Sequence, residues 1–217
     1  MKVDRLVLGM YETNCYVLRK ESLGLRQNDD AQDCLVIDPG LGAEQLLDFL
    51  SQNNLNPVVV VLTHGHIDHI EGVRSLRRDY PDVKLAIHAL DADMLADSQA
   101  NLAAMMGGDF STAPAEILLE DNALLEQAGL ELTVLHTPGH TPGGICLYSQ
   151  AYGVVFTDDT LFADSVGRSD FPGGSHNTLT QSIKEKLFSL PDETIVYPGH
   201  GPQTTIAHEK EHNPFLR

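Results

Sequence analysis

Tryptophan is absent from the 217-residue chain and aromatic residues make up only 6% of it, so the core that its 42% hydrophobic content builds must be mostly aliphatic. Positive charge is scarce too: 14 Lys and Arg stand against 31 Asp and Glu, a formal net charge of -17. A surface of that sign repels polyanions and offers no basic stripe to neutralise phosphates, so nucleic acid is not an expected partner. No apolar run reaches bilayer-spanning length, and the opening Met1-Lys2-Val3-Asp4-Arg5 lacks the apolar stretch of a secretion signal. No membrane partner and a cytoplasmic location are therefore expected. Cys15, Cys34 and Cys146 are far apart, odd in number and set in strand-like apolar sequence, which reads as buried thiols in a reducing compartment rather than a disulfide frame. No linker, charge block or repeat divides the chain, so residues 1–217 are read as one domain.

What is present is histidine, concentrated. His64, His66, Asp68 and His69 fall within six residues, directly after Val58-Val59-Val60-Val61-Leu62. A short β-branched run bounded by Pro57 predicts a buried strand whose end delivers the cluster to one rim of a sheet. Four such polar groups are costly in a packed core unless partnered, and imidazole with carboxylate suits zinc, iron or manganese. Three further strand ends carry the same residue types: His140 after Thr137-Pro138-Gly139, Asp158 and Asp159 after Phe156-Thr157, and His200 after Pro198-Gly199. The Pro-Gly pairs force a sharp turn that aims each imidazole back over the sheet edge. Repetition at four strand ends predicts one shared metal centre.

Along the chain, strands are predicted at Val3 to Leu8, Asn14 to Arg19, Leu35 to Ile37, Val83 to His88, Glu116 to Leu119, Leu130 to Leu135, Ile145 to Ser149, Val154 to Phe156 and Thr194 to Val196. Helices are predicted from Ala43 to Asn53, from near Ile70, from Asp91 to Met106 with Gly107-Gly108 as its stop, from a capping box at Thr178 to Gln181, and from Ile206 toward Asn213. Gln27 to Gln32 reads as an exposed hairpin tip, and Arg74, Arg77 and Arg78 as a solvated helix face. Periodicity alone gives a mixed α/β class. Strand groups in both halves, covered by helices and sending ligand loops to one place, suggest two sheets face to face with helices outside.

His64-Gly65-His66-Ile67-Asp68-His69, the lone His140 in Thr137-Pro138-Gly139-His140-Thr141-Pro142-Gly143-Gly144, an Asp before Thr160-Leu161-Phe162, and the last His in Tyr197-Pro198-Gly199-His200-Gly201 resemble the metallo-β-lactamase superfamily nearly end to end. Within it, Phe156 to Gly174 and Pro198 to Leu216 resemble the glyoxalase II-like (hydroxyacylglutathione hydrolase) branch. The resemblance implies the four-layer αββα sandwich and two divalent cations per chain, zinc in first place with iron or manganese as alternatives. Carried over residue by residue, His64, His66 and His140 hold the first cation, Asp68, His69 and His200 the second, and Asp159 bridges them because it directly precedes Thr160-Leu161-Phe162. Asp158, the other candidate for the bridge, stands where the branch usually has Gly; if that position takes positive φ, Asp is among the few residues that tolerate it.

The implied reaction is hydrolysis of an acyl thioester such as S-lactoylglutathione by a hydroxide bridging the cations, with Asp68 shuttling a proton as well as ligating. Around the ligands, Asp38 reads as orienting a metal-bound His, and His136 as a support for the ligands or a strand-end residue. Arg168 reads either as a contact for a substrate carboxylate or as the partner of Asp164 or Asp170. Met105 to Phe110 reads as an apolar wall of the site or as cover for the core, and His88, His176, His208 and His212 as loop or surface residues. Two other activities fit the same motifs: lactone or ester hydrolysis on the paired cations, and a persulfide dioxygenase with one iron. β-Lactamase activity is not expected, since those enzymes lack the bridging Asp and are exported. Full-length glyoxalase II proteins carry a helical C-terminal domain that contributes glutathione contacts. Here 17 residues (201–217) follow His200, so the chain reads as a short form onto which no glutathione-binding residue is carried.

Overall fold

Alternation along the central strands decides the layers. In the computed structural model, which describes residues 1–21 and 31–217, strands β1 (Lys2–Leu8), β2 (Thr13–Arg19), β3 (Gln32–Ile37), β4 (Leu55–Val61), β5 (Lys84–His88) and β6 (Ile117–Leu119) form a six-stranded sheet in that order. Cys15 and Val17, Cys34 and Val36, Val60 and Leu62 point to one face, where helices α1 (Glu44–Gln52), α2 (Ile67–Ile70) and α3 (Val73–Asp79) cover them with Leu46, Leu50, Ile70, Val73 and Leu76. Their neighbours Tyr16, Leu18, Leu35, Ile37, Val59 and Val61 point the other way, into the space between two sheets. The period of two along each strand is what splits one apolar run between two cores. β3 through β6 pair in parallel, which requires the helical crossovers, whereas β1 to β3 are antiparallel.

The second sheet is built from β7 (Leu124–Gln127), β8 (Leu130–His136), β9 (Ile145–Ser149), β10 (Val154–Asp158), β13 (Ile195–Pro198) and β14 (Thr204–Thr205), with a small hairpin of β11 (Leu161–Phe162) and β12 (Ser165–Val166) beside it. Its inner face supplies Leu132, Val134, Ile145, Leu147, Val154 and Phe156 to the central core. Its outer face packs Leu135, Cys146, Val155 and Val196 against α4 (His176–Ser182), the π-helical turn Ile183–Leu187 that continues it, and α5 (Ile206–His212). The result is the expected αββα sandwich. All three cysteines are buried and free, as expected. No helix among the described residues is long and apolar enough to cross a membrane.

Several expectations are corrected. Asp91 to Met106 is not one helix but two 3-10 segments, Ala89–Ala96 and Ala103–Met106, separated by a turn with Leu102 at φ +69°. Side chains divert the backbone there: Asp97 Oδ1 accepts from the Gln99 and Ala100 amides, and Asn101 bonds the Met94 and Phe110 carbonyls. Helix α4 starts three residues earlier than the capping box at Thr178, because Ser175 accepts from the Thr178 amide and is itself the N-cap. The arginine face is not merely solvated. Arg74 donates to Ser111 O and lies over the Phe110 ring, while Arg77 pairs with Glu116, so the two strap residues 110–116 to α3. The expected tip at 27–30 lies outside the described residues, and Gln32 opens β3.

Candidate metal centre

Every loop that carries one of the candidate donors leaves the same rim of the sandwich. β8, β10 and β13 run in one direction and end at His136, Asp158 and Pro198, just before His140, Asp159 and His200. From the first sheet, β3 ends at Ile37, directly before Asp38, and β4 at Val61, just before His64. Asp38 and Asp158 adopt φ +49° and +46°, left-handed conformations that Asp tolerates better than most residues and that turn each chain sharply at the strand end. Helix α4 buttresses the His140 loop: the Ser175 amide donates to Gly139 O at 2.8 Å, and Ser182 Oγ donates to Pro138 O at 2.8 Å. The His200 loop is stitched to the first sheet by Asn14 N–H donating to Gly199 O at 2.7 Å.

All seven residues assigned from the sequence come together. His64 Nε2, His66 Nδ1 and His140 Nε2 lie 2.9 to 3.2 Å from one another. A second trio comprises Asp68, His69 and His200, with Asp68 Oδ2 at 3.4 Å from His69 Nε2 and 3.5 Å from His200 Nε2. Asp159 stands between the trios, its Oδ2 3.6 Å from His140 Nε2 and its Oδ1 3.5 Å from His200 Nε2 and 3.7 Å from His69 Nε2. The other nitrogen of most rings is anchored. His140 Nδ1–H donates to Arg168 O at 2.6 Å, His200 Nδ1–H to Tyr11 O at 3.0 Å, and His64 Nδ1 faces Asp158 Oδ2 at 2.6 Å. These bonds hold Nε2 forward as a lone-pair donor, which is the tautomer a metal needs.

The donor set fits cations. His69 Nε2 and Asp159 Oδ1 are buried and make no hydrogen bond among the described residues, which a packed polar core does not leave uncompensated. Burial and the charges of His64 and His140 hold His66 far below the usual imidazole range, and burial with His64 lowers His140, so both rings are neutral at pH 7. Against the lowering effect of burial, Asp158 raises His64, while Asp158, Asp68 and Asp159 raise His69 well above its ordinary value. Burial opposes ionisation of Asp68, but His69 and His200 overcome it and hold that carboxyl well below the carboxylate range. Burial and the Asp158 charge push Asp38 up to about 7.

Of the supporting residues, Asp38 is where it was expected. Its Oδ2 sits 3.2 Å from His69 Nδ1, and Thr63 donates to both its oxygens, through N–H at 2.9 Å and Oγ1–H at 2.6 Å. His136 touches neither trio; it stacks on His88 with ring centroids 4.1 Å apart and bonds Pro142 O, bracing the loop that carries His140. Arg168 lies at the cleft mouth over the Phe171 ring and pairs with Asp170 through Nε and Nη2. Met105 and Met106 line the cleft, whereas Phe110 belongs to the core. His208 bonds Asp164 at the surface. Asp91 was missed. It is fully buried and accepts from Thr141 Oγ1 at 2.7 Å, Gly143 N at 2.6 Å and Gly65 N at 3.3 Å, tying the His140 loop to the His64–His66 turn. In sequence it reads only as an acid opening a helix.

Residues 8–200 match the family described as the metallo-beta-lactamase superfamily. A hydroxyacylglutathione hydrolase, GloC, from Haemophilus influenzae is 33% identical over 224 aligned residues, covering 100% of this chain and 98% of that protein. Among solved structures, the BLEG-1 B3 metallo-beta-lactamase superposes with a TM-score of 0.90 at 38% identity, covering 99% of both chains. TTHA1623 in a di-iron-bound form superposes with a TM-score of 0.83 at 35% identity, covering 99% of this chain and 100% of that one. These matches span nearly the whole chain, and the chain belongs to the metallo-β-lactamase superfamily.

Proposed function

We propose that the protein hydrolyses acyl thioesters on a pair of divalent cations, zinc in first place and iron or manganese as alternatives. The observation that carries this reading is Asp159, whose two oxygens face separate trios of donors in a cleft of about 580 Å³. His64, His66 and His140 would hold one cation and Asp68, His69 and His200 the other, with Asp159 between them. When bound, such cations polarise a carbonyl and lower the pKa of water from about 15.7 to about 7.

The rest falls to the chain. Asp68 lines the cleft beside the His200 Nε2 it faces, so it is placed to take a proton from the attacking water and release it outward. A thiol has a pKa near 8.5, so its thiolate departs without full protonation and needs no strong acid from the cleft wall. Ile67, Leu102, Met105, Phe162 and Phe171 make that wall largely apolar and shield the reacting carbonyl from bulk water. Arg168, whose Nε and Nη2 are taken by Asp170, is the cation at the mouth for a carboxylate on the substrate. The hydroxyacylglutathione hydrolase relative supports a thioester substrate, and the di-iron neighbour keeps iron among the metals to test.

The test is a metal count per chain followed by a substrate panel: S-lactoylglutathione, other acyl thioesters, a lactone, a β-lactam, and glutathione persulfide with oxygen uptake recorded. Two cations per chain and release of free thiol are expected. Two tightly held cations with no thioester turned over would sink the reading. One iron with oxygen consumed on the persulfide would assign the site to dioxygenase chemistry instead.

A further inference from the structure

Asp158 sits behind the two trios rather than between them. Its Oδ2 lies 2.6 Å from His64 Nδ1 and its Oδ1 lies 3.1 Å from His69 Nδ1. His64 belongs to the first trio and His69 to the second, so one carboxylate lies within ion-pair distance of the rear nitrogen of a ring in each. Asp38 reaches the rear of His69 alone, and Asp159 faces the forward nitrogens. The Asp158 side chain is about one-twentieth exposed, and a buried carboxylate is retained only where specific partners compensate its desolvation. Backbone geometry puts it there: the β10–β13 ladder shifts register between Phe156 and Asp158, and the positive φ at Asp158 turns its side chain under the rings while Asp159 continues forward.

We propose that Asp158 is a positioning residue common to both halves of the centre, fixing the rings of His64 and His69 together so that both cation sites depend on this one carboxylate. The inference rests on the two-cation reading above. A carboxylate held against the rear nitrogen of a ligating imidazole fixes the ring's orientation, and losing such a partner typically lowers metal affinity about 10–100-fold. Sharing the carboxylate extends that loss to two sites at once.

Metal-free protein is titrated with Co²⁺ in the presence of a competing chelator, with both uptake steps followed by visible absorption. The variants are D158G, D158N and D38N. Glycine adopts a φ of +46° freely, so D158G keeps the backbone, and the melting temperature of the metal-free protein reports on its fold. D158G is expected to weaken both steps by about 10–100-fold and to alter both sets of cobalt bands. D38N should weaken only one step, and D158N, with a single acceptor oxygen, should restore one step and not the other. D158G indistinguishable from wild type, or weakened in one step only, overturns the shared role while leaving the two-cation reading intact. A wild-type chain that takes up a single cation overturns both.

Discussion

The phenolic O–H of Tyr16 donates to the Pro198 carbonyl at 2.6 Å, a bond between the first sheet and the end of β13, two residues before His200. Asn14 Nδ2 donates to the same carbonyl at 2.9 Å, and the Tyr16 ring packs edge-on against Phe156 and Tyr197. Because Asn14 still satisfies that buried oxygen, Tyr16→Phe should cost only about 1 kcal/mol. The double variant with Asn14→Ala should cost more than the sum of the single changes, since only it orphans the carbonyl. Denaturant unfolding of all four proteins of the cycle measures the difference, and strict additivity would show that the two donors act independently.

Asp91 offers a sharper loss. Asp91→Ala strands three buried donors, Thr141 Oγ1 and the Gly143 and Gly65 amides, so a destabilisation of about 3 kcal/mol or more is expected. The same change frees the turns that carry His66 and His140, so metal affinity at the first trio should fall as well. Stability and affinity are measured on the same preparation; affinity unchanged in a protein that still folds would separate the strut from the centre.

Loading should release protons. In the metal-free protein burial lowers His64, His69 and His200, but their carboxylate neighbours outweigh it and hold all three above the ordinary value near 6.5. Each ring therefore binds its proton more tightly folded than unfolded. The stability this gives the metal-free fold is fully present below about 6.5 and fades as pH rises through the folded values. A cation must displace those protons, so apparent affinity should rise with pH. Calorimetry at pH 7 in two buffers of different ionisation enthalpy should give different heats, and identical heats would contradict the charge assignment.

At the mouth, Asp170 and a substrate carboxylate would compete for the same guanidinium. Arg168→Ala should raise KM for a carboxylate-bearing thioester by about 10-fold, the loss of one exposed charge-assisted pair, and leave KM for an uncharged thioester unchanged. Asp170→Asn should shift the first KM downward. Equal effects on both substrates would reduce Arg168 to a structural partner of Phe171.

Sequence reading reached the strands and the clustering of the donors because both are written in local patterns, period-two alternation for the strands and donor residues at strand ends for the cluster, whereas the four layers came with the family resemblance. It did not reach Asp91, whose partners lie 26 to 52 positions away, nor the break in the 91–106 segment, where Asp97 and Asn101 capture backbone groups that a helix would have used. Asp158 shows the limit most clearly. Its departure from the usual Gly was legible, but which ring nitrogens it meets depends on a register shift that only the assembled sheet displays.

The three cysteines carry a practical consequence. Burial pushes the thiols of Cys34 and Cys146 up to about 12 and that of Cys15 well above its ordinary value, so none presents a nucleophilic sulfur at assay pH. A chromogenic disulfide reagent added to the native protein should therefore stay colourless until a thiol is released, and under the proposed thioester reaction continuous colour development reads turnover without correction for the catalyst.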